Sequence, residues 1–74
     1  MIVDHTSHFA DVINVARKAG AWSVSIQNYF TFVNFTKVQD AAEFVRMADP
    51  SWDVSEINLK RPFVVAEVRV RHPK

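Results

Sequence analysis

The 74-residue chain has no cysteine, one glycine and three prolines. Without cysteine it has no disulfide staple and no thiolate metal site. With Gly20 alone, a glycine-rich phosphate loop is excluded. No apolar run approaches the roughly 18 residues of a membrane span. No basic segment followed by an apolar stretch opens the chain, so no signal peptide is expected and the default location is cytoplasmic. Serines fall at caps, in a strand or in a loop, with no nucleophile-elbow pattern. The eight carboxylates scatter over helix surfaces and loops without forming a pair. A catalytic set is therefore not expected, nor is a cofactor.

What is present is a hydrophobic fraction of 49% and nine aromatic residues, six of them Phe. That composition favours a single folded domain over a disordered chain. A chain this short buries only about 60% of the surface it exposes when unfolded, so packing or self-association must supply stability. Charge is unevenly spread. Residues 1–59 carry Arg17, Lys18, Lys37 and Arg46 against Asp4, Asp11, Asp40, Glu43, Asp49, Asp53 and Glu56, a net of −3. Residues 60–74 carry Lys60, Arg61, Arg69, Arg71 and Lys74 against Glu67, a net of +4. A basic end of this kind meets phosphate or an acidic protein surface, or it guards a solvated edge strand.

Periodicity gives the elements. Met1–Val3 is a short apolar start that fits a strand. With Thr6 or Ser7 as N-cap, Phe9, Val12, Ile13, Ala16 and Ala19 recur at helical spacing, and Gly20 follows at the C′ position. This predicts a helix over 7–19. Trp22, Val24 and Ile26 then alternate with Ser23, Ser25 and Gln27. Tyr29, Thr31, Val33 and Phe35 alternate with Phe30, Phe32 and Asn34. A two-residue turn at Gln27-Asn28 pairs Ile26 with Tyr29, Val24 with Thr31 and Trp22 with Val33, all on one face. That face is the expected core, with Trp22 and Tyr29 in it. If the register is off by one, Phe30 and Phe32 are core instead.

Thr36 and Gln39 fit a capping box. The stripe Val38, Ala41, Ala42, Val45 and Ala48 then predicts a helix over 37–48, stopped by Asp49-Pro50. "WDVSEINL" (52–59) alternates less cleanly and reads as a short strand or none. Lys60-Arg61-Pro62 breaks the run. "FVVAEVRVRH" (63–72) is a strong strand, with Val64, Ala66, Val68 and Val70 on one side and Val65, Glu67, Arg69 and Arg71 on the other. The order implies an α+β, ferredoxin-like domain: a four-stranded antiparallel sheet with two helices on one face. The other face stays open and carries Phe30 and Phe32 beside Arg69 and Arg71.

"NYFTFVNF" resembles the long ribonucleoprotein motif of the RNA-recognition-motif family, and the likeness runs on through "FVNFTKVQDAAEFV", covering Asn28–Val45. It implies that Phe30 and Phe32 stack on unpaired bases while Val33 and Phe35 pack inward. The sequence departs from that motif at Asn28, where the family has a basic residue, and at Tyr29, where it has glycine. "MIVDH" also lacks the aromatic of the family's first strand. The stretch Trp22–Pro62, ending "WDVSEINLKRP", is similar in size and element order to compact bacteriophage inhibitors of RNA polymerase or CRISPR effector complexes. That likeness implies a protein inhibitor that covers a site on nucleic-acid-handling machinery.

The candidate partner-binding residues are Phe30, Phe32, Arg69 and Arg71, with Ser25, Gln27 and Asn34 as lesser contacts. The partner is a protein, with single-stranded RNA as the alternative. Closure of the open face in a homodimer is a further use. His5 and His8 form H-x-x-H, but a zinc site normally takes three or four ligands, so no metal is expected and His8 reads as a solvated residue. Trp52 is either packed or a partner contact.

Overall fold

A computed structural model describes residues 6–59 and 62–73. The candidate strand at Met1–Val3 and the break at Lys60-Arg61 lie outside them. The elements run α1 (Thr6–Ala19), β1 (Ser23–Ile26), β2 (Phe30–Phe35), α2 (Val38–Met47), β3 (Val54–Asn58) and β4 (Ala66–Arg71). The four strands form one antiparallel sheet in the order β1-β2-β4-β3. The weakly patterned 52–59 stretch therefore supplies an edge strand of the main sheet.

The helical stripe of α1 buries Val12, Ala16 and Ala19. Gly20 then turns the chain at φ +87°. Its N–H reaches the Arg17 carbonyl at 3.2 Å and the Ala21 N–H reaches the Ala16 carbonyl at 3.0 Å. These are the two bonds of a Schellman C-cap, which satisfies carbonyls the helix leaves open. A Cβ added at Gly20 would stand 3.3 Å from Asp40 Oδ2.

The hairpin keeps its expected faces but not its expected register. Ile26 lies opposite Thr31 and Val24 opposite Val33. The Gln27 N–H bonds the Phe30 carbonyl at 2.9 Å, so Asn28 and Tyr29 form the tip. A slip of two residues preserves every face, whereas a slip of one would invert them. No non-glycine residue has positive φ among those described. A left-handed Asn28 is thus not used, and the Tyr29 carbonyl instead accepts the His72 N–H at 2.9 Å. Tyr29 is accordingly 73% exposed and Trp22, just outside β1, is 63% exposed. Both were expected in the core. Alternation reports the face of a residue but not how far the helices reach along it.

α2 begins one residue later than a Thr36 cap requires. Lys37 is the N-cap, extended, with no side-chain cap bond, so the Thr36–Gln39 box does not form. The buried residues of α2 are Ala41 and Phe44, while Val38 and Ala42, both on the expected stripe, are exposed. Phe44 wins the inward position because an aromatic ring removes more apolar surface from water than valine or alanine. Its ring packs 5.8 Å from that of Phe35. The helix ends at Met47, and Ala48, expected as its last residue, is already extended, one residue ahead of Asp49-Pro50. The Asp49 carboxylate accepts bonds from the Ser51 N–H at 2.9 Å and hydroxyl at 2.7 Å. The Ser51 hydroxyl foremost, then its N–H, holds the Asp49 carboxyl below its usual range.

Thr31, Val33 and Phe35 of β2 and Ala66, Val68 and Val70 of β4 are all buried. The apolar ones form one core with Val12, Ala16 and Ala19 of α1 and Ala41 and Phe44 of α2. Both helices thus serve a single face of the sheet. Replacing Phe44 by Ala is expected to cost about 3–5 kcal/mol in urea unfolding, against roughly 0.5 kcal/mol or less for Val38→Ala. The reverse ranking would reinstate the sequence-derived stripe. Gly20→Ala is expected to destabilise by about 1 kcal/mol or more in the same assay, because Ala does not readily adopt this φ.

Candidate binding face

The side of the sheet away from the helices gathers the predicted residues. Ser25 of β1, Phe32 of β2, Arg69 of β4 and Ser55 of β3 follow one another across one rung. Ser23, Asn34, Glu67 and Ile57 form the next. Phe30 lies opposite Arg71. Alternation in β2 and β4 dictates this: with Thr31, Val33, Val68 and Val70 turned to the core, their neighbours must face outward.

Phe30 and Phe32 are partly exposed, and their rings are nearly parallel, 13° apart with centroids at 6.3 Å. The Arg69 guanidinium carbon lies 5.2 Å from the Phe32 ring centroid, a cation–π contact worth about 0.5–1 kcal/mol at an exposed site. Arg69 Nε also donates to Glu67 Oε1 at 3.0 Å. This ion pair is partly exposed, so it orients the guanidinium more than it stabilises the fold. Around the rings, the Gln27 amide donates to Ser25 Oγ at 2.6 Å and the Asn34 amide to Ser23 Oγ at 3.1 Å. The result is an aromatic centre, an oriented arginine and a rim of hydroxyls and amides.

All seven predicted residues come together here, with Gln27 just beyond the end of β1 and Arg71 exposed at the corner. Ser55 and Ile57 were missed. Their alternation with Val54 and Glu56 was the available signal, but only pairing with β4 assigns the face.

At that corner Arg71 also borders a groove of about 470 Å³, lined further by His8, Trp52, Asp53 and His72. Trp52 is half-buried against the core. The His8 ring meets those of Trp52 at 5.9 Å and His72 at 6.4 Å, so His8 is packed rather than solvated. His72 stacks edgewise on Phe9 at 5.0 Å. His72 Nε2 and the buried Thr31 hydroxyl are 3.0 Å apart. His5 lies outside the described residues, among which no group of three or more His, Cys, Asp or Glu side chains could hold a metal. Nor, among those residues, is any helix long and apolar enough to cross a membrane.

Set beside known proteins, the chain matches no family model, no curated protein and no solved structure. The class defined by fold and site is thus a small α+β domain that presents one face of an antiparallel sheet.

Thr31→Val keeps the shape of the buried residue and removes the partner of His72 Nε2. Chemical denaturation should register a loss of about 0.5–1.5 kcal/mol. An unchanged midpoint would mean that the Thr31–His72 bond is energetically idle.

Proposed function

We propose that this is a non-enzymatic binding domain that occupies a surface of a protein partner through its open sheet face. The carrying observation is the parallel Phe30–Phe32 pair at the centre of that face, flanked by Arg69 and rimmed by mutually bonded Ser, Asn and Gln side chains. Interface cores are enriched in aromatic residues and Arg and depleted of other charges, and their rims are polar. The likeness in size and element order to compact bacteriophage inhibitors makes nucleic-acid-handling machinery the first partner to test, with the domain acting as an inhibitor. In the same proposal the layout is ferredoxin-like, with β4 in the sheet position that the strand ahead of the first helix would hold.

One observation favours a second reading. Two parallel rings on a central strand suit single-stranded RNA, since each stacked base contributes about 1–3 kcal/mol. In an RNA-recognition-motif-like layout, β4 brings Arg69 and Arg71 where that family's first strand brings an aromatic. Arg69 is engaged by Phe32 and Glu67. Among the described residues of this face that leaves Arg71 for phosphate, and affinity at physiological salt would be low.

Tagged protein should recover one stoichiometric partner from its native host, and the double variant Phe30→Ala with Phe32→Ala should lose it while keeping its far-UV circular dichroism. Recovery unaffected by that variant would refute the open-face reading. Binding to mixed RNA pools at low salt, weakening steeply as salt rises, would transfer the face to nucleic acid.

A further inference from the structure

The two edges of the sheet differ. β3 carries Glu56 and follows Asp53. Such charges are the usual guard of an edge strand against pairing with another chain. β1, Ser23–Ile26, has no charge and no proline. It lies within an uncharged run from Ala19 to Thr36. Its sheet neighbour is β2, and among the described residues the opposite side of the strand is an edge.

Gln27 N–H bonds the Phe30 carbonyl. By antiparallel alternation, the backbone groups of Ser23 and Ser25 also turn to β2, and those of Val24 and Ile26 turn outward. Beside this edge, Trp22 is 63% and Ile26 49% exposed. They border a groove of about 310 Å³ that Ile13, Arg17 and Ala21 help to line.

We propose that the β1 edge pairs with the β1 edge of a second copy of this chain, giving a two-fold dimer with one continuous eight-stranded sheet. The strand is self-complementary. A two-fold axis at Ser25 sets Val24 against Ile26 of the other copy in both directions, each pair exchanging N–H and carbonyl. The two Ser25 hydroxyls meet on the axis, so no charge meets its like. On the helix side, Val24 and Ile26 from both copies meet in one apolar row, and each Trp22, held beside β1 by its backbone N–H bond to the Asn34 carbonyl at 2.8 Å, stands at an end of it, covering surface that each copy exposes alone. Arg17 lies by the Trp22 end, so the two arginines sit at opposite ends of the seam, roughly 20 Å apart at the rise of a strand. That exceeds the Debye length of about 8 Å at physiological salt. The dimer would set two Phe30–Phe32 pairs on one platform, but it does not depend on the open face having a partner.

Sedimentation or light scattering on the full chain should give twice 8.5 kDa as concentration rises; a monomer throughout overturns the proposal. Ser25→Lys and Ser25→Glu should each be folded monomers, because like charges meet on the axis, and mixing them should restore the dimer. Dimers persisting in both variants separately would exclude this edge. Should either variant fail to fold, Trp22→Ser keeps the test: removing this exposed indole should weaken dimerisation roughly tenfold or more, and unchanged dimerisation refutes the seam. The Phe30→Ala, Phe32→Ala double variant should dimerise normally; its failure to do so would assign self-association to the open face instead.

Discussion

The pairing of β2 with β4 is the constraint on which the rest depends. Six residue pairs, from Phe30 opposite Arg71 to Phe35 opposite Ala66, fix the two central strands against each other. Every second residue along both strands is sealed from water: Thr31, Val33 and Phe35 on one, Ala66, Val68 and Val70 on the other. The chain has two helices among its described residues, and both lie against this face. The remaining face is left to solvent or a partner, because a period of two cannot turn one row inward without turning the other outward.

That division explains how a domain this small keeps partly exposed phenylalanines. Phe30 and Phe32 shield each other by stacking, and Arg69 lies beside Phe32 while its charge is held by Glu67. The hydroxyls and amides around them are bonded to one another. Side chains held by one another in this way would lose less conformational entropy in any contact made at this face. The two sheet edges continue the same logic. One is guarded by acidic residues, and the other is uncharged along its length.

Much of the architecture was legible. The Gly20 C-cap, the end of α1 at Ala19 and the inward Ala66, Val68 and Val70 of β4 follow from local chemistry that tertiary context left alone, whereas α1 takes in Thr6 and Ser7, read as its caps, and α2 stops at Met47, ahead of Ala48. The split of "YFTFVNF" into inward Thr31, Val33 and Phe35 and outward Phe30 and Phe32 was also readable. Failures came where a choice depended on a neighbour. Phe44 displaced Val38 and Ala42 from the core because Phe35 offered a ring to pack on. The hairpin slipped by two because β4 and His72 fix where β2 must begin. Trp22 and Tyr29 have the parity of core residues in the sequence, yet Tyr29 sits in the hairpin tip and Trp22 sits outside β1, its backbone N–H bonded off register to the Asn34 carbonyl.

The sequence by itself determined which side of each main strand a residue faces, since backbone geometry alternates side chains whatever surrounds them. Only the tertiary structure decided what stands next to what. It set Arg69 beside Phe32, brought Ser55 and Ile57 onto the open face and drew His8, Trp52 and His72 into one cluster. It also made β1 an edge among the described residues. Strand order and register come from summed packing and hydrogen bonding between segments far apart in the chain, and no local pattern encodes that sum.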